Sequence, residues 1–155
     1  MQQEVQFTLN GEAVTCIVDV RKSLLEMLRE DFALIGPKEG CDVGECGACS
    51  VLIDGQAIDS CIYLAAWVDG KTVTTIEGIT NADGSLADIQ QAFVDAGAVQ
   101  CGFCIPGMII SSQQFLKENP HPSRTEVRRA LSGNMCRCTG YQKIIEAVEL
   151  AASEK

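Results

Sequence analysis

An α+β fold in two parts is predicted for this 155-residue chain. Three observations carry the prediction. Residues up to about 78 alternate apolar and polar side chains with the period of strands. From about 79 onward, apolar side chains recur at helical spacing. Eight of the nine cysteines fall into two quartets, one in each part. Small domains bury little surface and are commonly stapled by metal or disulfide, so a centre in each part suits two half-sized domains, 1–78 and 79–155.

In the first part, Val5, Phe7 and Leu9 alternate with polar neighbours, and Asn10-Gly11 is a strong two-residue hairpin signal. Val14, Cys16 and Val18 resume the alternation, which makes Cys16 a small buried apolar side chain on a strand. Ser23 and Glu26 form a capping box for a short helix with Leu24, Leu25 and Leu28 on its apolar face. Residues 36–50 carry glycines and cysteines without periodicity and read as a loop. Residues 51–53 form a short strand stopped by Asp54-Gly55, residues 57–66 are apolar but fit neither period, and residues 73–76 read as a last strand. Strands and a helix around a cysteine-rich loop suggest a β-grasp arrangement.

Asn81, Asp83, Gly84 and Ser85 break every pattern and mark a linker at 78–85. Ser85 and Asp88 give a cap signature for a helix running to Ala96, with Ile89, Phe93 and Ala96 inward. Pro106 suits the first turn of a second helix, where its missing N–H is an orphan anyway, and Asn119-Pro120 ends that helix. Ser123 and Glu126 cap a third, closed by Gly133, and Thr139 and Gln142 cap a fourth with Ile144, Ile145 and Val148 inward. The second part is therefore expected to be a bundle of four short helices.

Composition narrows the function. The formal net charge is −9 with only 12 basic residues, and the short basic run at 124–129 is interrupted by Glu126. Nucleic acid and acidic membrane surfaces are accordingly not expected partners, and proteins are. No apolar stretch reaches membrane-spanning length, so no direct membrane insertion is expected. The opening Met-Gln-Gln-Glu lacks the character of a signal peptide, which makes a cytoplasmic location the expectation. Thiols stay reduced there, and nine cysteines would leave one unpaired, so a disulfide framework is disfavoured.

The first quartet is Cys41-x4-Cys46-x2-Cys49 with Cys61. It begins with the spacing of the first three ligands of a plant-type [2Fe-2S] ferredoxin. Gly36, Gly40, Gly44 and Gly47 leave the backbone free to wrap a cluster and turn N–H groups toward its sulfurs, which would raise its potential. Cys61 follows sooner than a plant-type ferredoxin places its fourth ligand, which argues against a free-standing protein of that type. The second quartet, Cys101-x2-Cys104 with Cys136-x-Cys138, lies at two predicted helix starts, whose exposed N–H groups favour an anionic centre. Gly102 and Gly140 would relieve crowding there. Four thiolates also suit zinc, although the x4-x2 and Cys-x-Cys spacings are less usual for it, so spacing alone leaves two zinc staples open beside two iron–sulfur clusters.

Three longer motifs resemble the small iron–sulfur subunit of the molybdenum hydroxylases, the family of xanthine dehydrogenase, aldehyde oxidoreductase and carbon monoxide dehydrogenase. They are Gly40-Cys41-Asp42-Val43-Gly44-Glu45-Cys46-Gly47-Ala48-Cys49, then Gln100-Cys101-Gly102-Phe103-Cys104-Ile105-Pro106-Gly107-Met108, then Ser132-Gly133-Asn134-Met135-Cys136-Arg137-Cys138-Thr139-Gly140-Tyr141. The resemblance covers nearly the whole chain and sets zinc aside. It implies a β-grasp plant-type ferredoxin domain followed by a four-helix [2Fe-2S]-binding bundle. It also implies a large molybdopterin-binding subunit and an FAD-binding medium subunit as partners, usually as a duplicated heterotrimer.

The same resemblance assigns roles. Cys101, Cys104, Cys136 and Cys138 are implied to hold the cluster nearer the molybdenum cofactor, and Cys41, Cys46, Cys49 and Cys61 the one nearer FAD. Electrons would pass from molybdenum through the helical-domain cluster and the ferredoxin-like cluster to FAD. Gln100 is similar to the glutamine whose side chain reaches the pterin, with a local cap before a tight turn as the plainer alternative. Cys138 is similar to the cysteine that touches the pterin edge while its sulfur binds iron. Residues 60–67 resemble separate-subunit bacterial xanthine dehydrogenases, so a purine such as xanthine or hypoxanthine is the expected substrate of the whole complex. A nicotinate- or aldehyde-type complex and an independent two-cluster ferredoxin are the alternatives.

No catalytic residue is expected in this chain. His121, between two prolines, reads as a solvated loop residue. Arg137 would either offset cluster charge or form a surface salt bridge. Glu39, Asp42 and Glu45 would be solvated, would lower the first cluster's potential or would help dock the flavin subunit. Phe103, Ile105, Met108 and Ile109, with Tyr63 and Trp67, suit either core or interface.

Overall fold

The computed structural model describes residues 1–153. Gln2–Leu9 (β1) and Glu12–Asp19 (β2) form an antiparallel hairpin. Its turn residues Asn10 and Gly11 take φ of 50° and 87°, as a twist-matched two-residue turn requires. Val5, Phe7, Leu9 and Val18 point into the core, and Cys16 is half-buried at its edge. Ser50–Ile53 (β3), Gln56–Asp59 (β4) and Thr72–Thr74 (β5) complete a five-stranded sheet of order β2-β1-β5-β3-β4. β5 runs parallel to β1 and antiparallel to β3.

One helix lies in the grip of this sheet. Leu24–Glu26 (α1) starts at Ser23, whose Oγ accepts the Glu26 N–H at 3.1 Å while the Ser23 N–H donates to the Glu26 carboxylate at 2.7 Å. The helix widens into a π-helical turn over Met27–Asp31, closed by Phe32 N–H on the Met27 carbonyl at 3.3 Å. Leu24, Met27 and Leu28 bury themselves against β1, β3 and β5, and Phe32 meets Phe7 edge to face at 6.0 Å. The ambiguous 57–66 stretch resolves into β4, a 3-10 turn at Ser60–Ile62 and the start of another at Ala65–Val68. The last strand ends earlier than expected. Ile76 leaves the sheet for a 3-10 turn at Ile76–Gly78 and packs on the second core instead.

That second core is enclosed by Asp88–Asp95 (α2), Ile105–Glu118 (α3), Arg124–Ala130 (α4) and Gln142–Ser153 (α5). Phe93, Met108, Val127, Ile144 and Val148 are its buried centre. Pro106 sits in the first turn of α3, and Ser123 with Glu126 caps α4. Three local expectations are corrected. Ser85 does not cap α2, because its N–H and hydroxyl turn back to the Asp83 carboxylate at 2.9 and 2.6 Å. The cap position is Ala87, whose N–H is taken by Gln90 Oε1 at 2.9 Å; Ala96 packs on the core as expected, beside fully buried Ala92. Gly133 does not close α4: the helix stops at Leu131, and Gly133 is outside the left-handed region. Tyr141, at φ 69°, immediately precedes α5, and Thr139 is spent on other contacts.

The two parts meet along a seam. Asn134 Nδ2 donates to the Gly47 carbonyl at 3.0 Å, and Met135 N–H donates to the Cys46 carbonyl at 2.9 Å. Farther along, Ala57 N–H on the outer edge of β4 donates to Gln114 Oε1 of α3 at 2.7 Å. Gly107 lies on the first loop so closely that a Cβ there would overlap the Gly47 carbonyl oxygen.

Candidate metal centres

Local backbone geometry gathers the first quartet. Asp42, Gly44 and Gly47 take φ of 55°, 71° and 68°, which curls residues 41–49 into a tight loop before β3. The Cys41 thiol lies beside that of Cys46, and the Cys49 thiol beside that of Cys61. Backbone N–H groups of Val43 and Glu45 aim at the Cys41 sulfur, the latter at 3.4 Å, and hold its pKa down to about 7. Burial pushes Cys49 up to about 12. Asp59, on β4, brings its carboxylate within 3.9 Å of Cys49 Sγ and 3.2 Å of Ser50 Oγ, and burial raises its pKa. Gly40 serves space rather than backbone freedom, since a Cβ there would stand 2.8 Å from Cys46 Sγ.

The second quartet sits where helices begin. Cys104 is the N-cap of α3, and Cys136 and Cys138 lie between α4 and α5. Cys138 and Cys101 sulfurs are 3.3 Å apart, and the Cys104 thiol lies beside that of Cys136. Burial pushes Cys104 up to about 12. Burial acts most strongly, to raise Cys136, yet the hydroxyl and N–H of Thr139, at 3.0 and 3.5 Å from its sulfur, together with the Cys138 N–H and the Cys104 thiol, leave it below its ordinary value. Gly102 and Gly140, at φ 85° and 65°, meet a backbone requirement, not crowding: a Cβ would meet nothing at Gly140 and only Val99 Cγ1, at an ordinary 3.9 Å, at Gly102.

In both places the sulfurs are disposed as two pairs, which is the donor arrangement of a two-iron cluster with two thiolates per iron. A single zinc ion needs its donors converging on one point. Among the described residues no three His, Cys, Asp or Glu side chains do so. In a cluster-bound chain these sulfurs would be thiolates, and the N–H and O–H groups aimed at them would then donate to negative charge. The residues present therefore fit two [2Fe-2S] clusters.

The two centres adjoin. One cavity of about 500 Å³ is lined by Cys41 and Cys46 together with all four cysteines of the second quartet. Phe103 and Met135, 46% and 53% exposed, stand on its wall beside Arg137. Arg137 is exposed and forms no salt bridge with the described residues. The Met135–Cys46 backbone hydrogen bond links the residue before one candidate ligand to another candidate ligand. Gln100 is exposed. Met108 and Ile109 are core, Ile105 is half-buried, and Trp67 is 56% exposed with Tyr63 edge-on at 5.4 Å. Glu39, Asp42, Glu45 and His121 are exposed. Asn134, Thr139 and Tyr141 fall inside the closing motif without an individual role being assigned to them there, and Asp59 was not singled out.

The fold and sites define a protein of two [2Fe-2S] domains. Residues 7–75 match the 2Fe-2S iron-sulfur cluster binding domain, and residues 75–149 match the [2Fe-2S] binding domain. The chain is 48% identical over 147 residues to the nicotinate dehydrogenase small FeS subunit of Eubacterium barkeri, covering 95% of this chain and 93% of that one. It is 50% identical over 147 residues to the xanthine dehydrogenase iron-sulfur-binding subunit of Escherichia coli O157:H7, covering 93% and 91%. The structure superposes on quinoline 2-oxidoreductase from Pseudomonas putida 86 with a TM-score of 0.94 at 42% identity, over 98% of this chain and 94% of that one. The chain belongs to the family of two-cluster iron–sulfur subunits of the molybdenum hydroxylases. It is a non-catalytic electron-transfer subunit of an oxidoreductase complex of that xanthine-dehydrogenase-like type.

Proposed function

We propose that the chain carries electrons from a molybdopterin-bearing large subunit, through the helical half and then the ferredoxin-like half, to an FAD-binding subunit. The observation that supports passage between the two halves is the pair of adjoining thiol centres joined by the Met135–Cys46 hydrogen bond, and the order along them follows the family resemblance. The clusters, when bound, supply one-electron redox chemistry. The chain's own residues do the rest. Cys41, Cys46, Cys49 and Cys61 would hold one cluster, and Cys101, Cys104, Cys136 and Cys138 the other. Backbone N–H groups from the curled loop favour negative charge on the first set of sulfurs. Exposed Gln100 would reach the pterin, and the environment of Cys138 would touch its edge. Exposed Phe103 and Met135 would be covered by the large subunit. A duplicated heterotrimer in the cytoplasm is the assembly this reading implies, with residues 1–78 and 79–155 as its two functional halves.

For the complex we infer oxidation of a nitrogen heteroaromatic ring, with xanthine or hypoxanthine first. Residues 60–67 and the 50% identical xanthine dehydrogenase relative support the purine. The 48% identical nicotinate and nicotine relatives support a pyridine ring almost equally. An aldehyde relative stands at 41%. Native complex isolated through this chain should contain four irons and four acid-labile sulfides per chain, with molybdenum and two larger subunits. Turnover of xanthine, hypoxanthine, nicotinate and benzaldehyde then separates the substrates. Iron without molybdenum or partners would instead make the chain an independent ferredoxin, and zinc in place of iron would overturn both.

A further inference from the structure

The second centre has a contact that the first lacks. Around Cys41 and Cys46 the groups aimed at sulfur are backbone N–H donors, which side-chain substitution cannot remove. Around Cys136 one donor is a side-chain hydroxyl, Thr139 Oγ1, 3.0 Å from the sulfur. The direction of its proton follows from its other partner. Tyr141 N–H donates to the same Oγ1 at 3.2 Å and fixes the oxygen in place, and a Cys136 thiolate holding a cluster has no proton to give, so the hydroxyl is then the donor. The Tyr141 ring is in turn anchored, because its hydroxyl accepts the Cys136 N–H at 2.9 Å. Tyr141 holds an unfavourable φ of 69° to close this ring of contacts. Thr139 is half-buried, so water competes poorly for the hydroxyl.

We infer that Thr139 sets the reduction potential of the helical-domain cluster by donating an O–H···S hydrogen bond to Cys136. The inference rests on the reading of Cys136 as a cluster ligand. One-electron reduction turns a four-thiolate [2Fe-2S] centre from a dianion into a trianion. The O–H dipole is stronger toward the extra charge, so the bond favours the reduced form. Thr139 keeps its proton throughout; the electron comes from the upstream molybdenum centre in turnover, or from a mediator in a titration. A hydrogen bond to a charged acceptor supports a change of about tenfold in the one-electron equilibrium constant, which corresponds to about 59 mV.

The test is an EPR-monitored redox titration of the holo complex, carried out on wild type, Thr139→Val, Thr139→Ala and Thr139→Ser, with iron and sulfide counted in each. Valine and alanine should lower the second cluster's potential by about that tenfold factor and leave the first cluster's potential unchanged. Serine keeps the hydroxyl and should restore the wild-type value. An unmoved second potential in fully loaded Thr139→Val, or a serine variant as low as valine, would overturn the inference. Equal shifts in both clusters would also overturn it, as a general structural effect. Loss of the second cluster from both removal variants would do the same, making Thr139 a residue that holds the loop together. Wild-type complex without a second cluster would refute the ligand reading itself, which the iron count distinguishes from failure of the tuning role.

Discussion

Gly107→Ala is the sharpest probe of how the two halves are joined. A Cβ at that position overlaps the Gly47 carbonyl oxygen and stands 3.1 Å from the Gly47 carbonyl carbon and 3.3 Å from Ala48 Cα. All three are backbone atoms, so no rotamer change relieves the clash. Either α3 or the first cysteine loop must retreat, by roughly 1.5 Å to restore ordinary contact distances. A retreat of that size by the loop carries the 3.0 Å Asn134–Gly47 and 2.9 Å Met135–Cys46 bonds beyond hydrogen-bonding distance. Overpacking of this kind costs about 1–3 kcal/mol, and a buried polar group left unpaired costs about 1–3 kcal/mol more. Gly133→Ala is the matched control, because its Cβ meets nothing within 4 Å and its φ lies outside the left-handed region. Denaturant unfolding of the holo protein, followed by far-UV circular dichroism and visible absorbance, should show a loss of at least about 2 kcal/mol for Gly107→Ala and almost none for Gly133→Ala. Electron exchange between the clusters should slow in the first variant only. Equal stability of the two variants would refute the claim that the seam is built on backbone contact.

Further outcomes are expected elsewhere. Cys136→Ser should reduce iron from four to two per chain and remove one EPR signal; an unperturbed second signal would contradict its ligand role. Gln100→Ala should keep both clusters but weaken coupling to the pterin, read as slower reduction by substrate and a changed molybdenum EPR signal; unchanged values in both readouts would remove the proposed contact. Ser23→Ala should cost about 1 kcal/mol of stability in denaturant unfolding, as a lost helix cap does. Its partner Glu26 has its pKa lowered by the Ser23 N–H, so the cap's contribution is complete above the ordinary glutamate value of 4.5 and is lost as pH falls through the lower folded value. A wild-type stability advantage over Glu26→Gln that persists undiminished to pH 2 would contradict that linkage.

Much of this protein was readable because its signals are local. Asn10-Gly11 and the paired caps Ser23/Glu26 and Ser123/Glu126 act over a few residues, and the structure forms each of them. Cysteine spacing picked out two groups of four, while their division into pairs is set by the curl at Asp42, Gly44 and Gly47 and by two helix starts. Misreadings arose where two local options competed. Ser85 had both a helix to cap and an aspartate two residues behind it, and Asp83 was nearer. Thr139 looked like a helix cap, but its hydroxyl is drawn to a sulfur and to Tyr141 N–H. The close approach of Gly107 to Gly47 joins residues sixty apart, and no period or motif in either segment announces it.

The stitch from Gln114 to Ala57 has a consequence for how the chain is made. An open strand edge is a template for pairing with another polypeptide. β4 is such an edge, and the side chain that closes it lies in a helix translated more than fifty residues later. During synthesis, N-terminal segments emerge and fold first. The sheet therefore stands complete for a time with its β4 border uncovered, before α3 leaves the ribosome. The helical half is thus a guard for the half before it, and a gene cut at the linker would release a sheet permanently deprived of that guard.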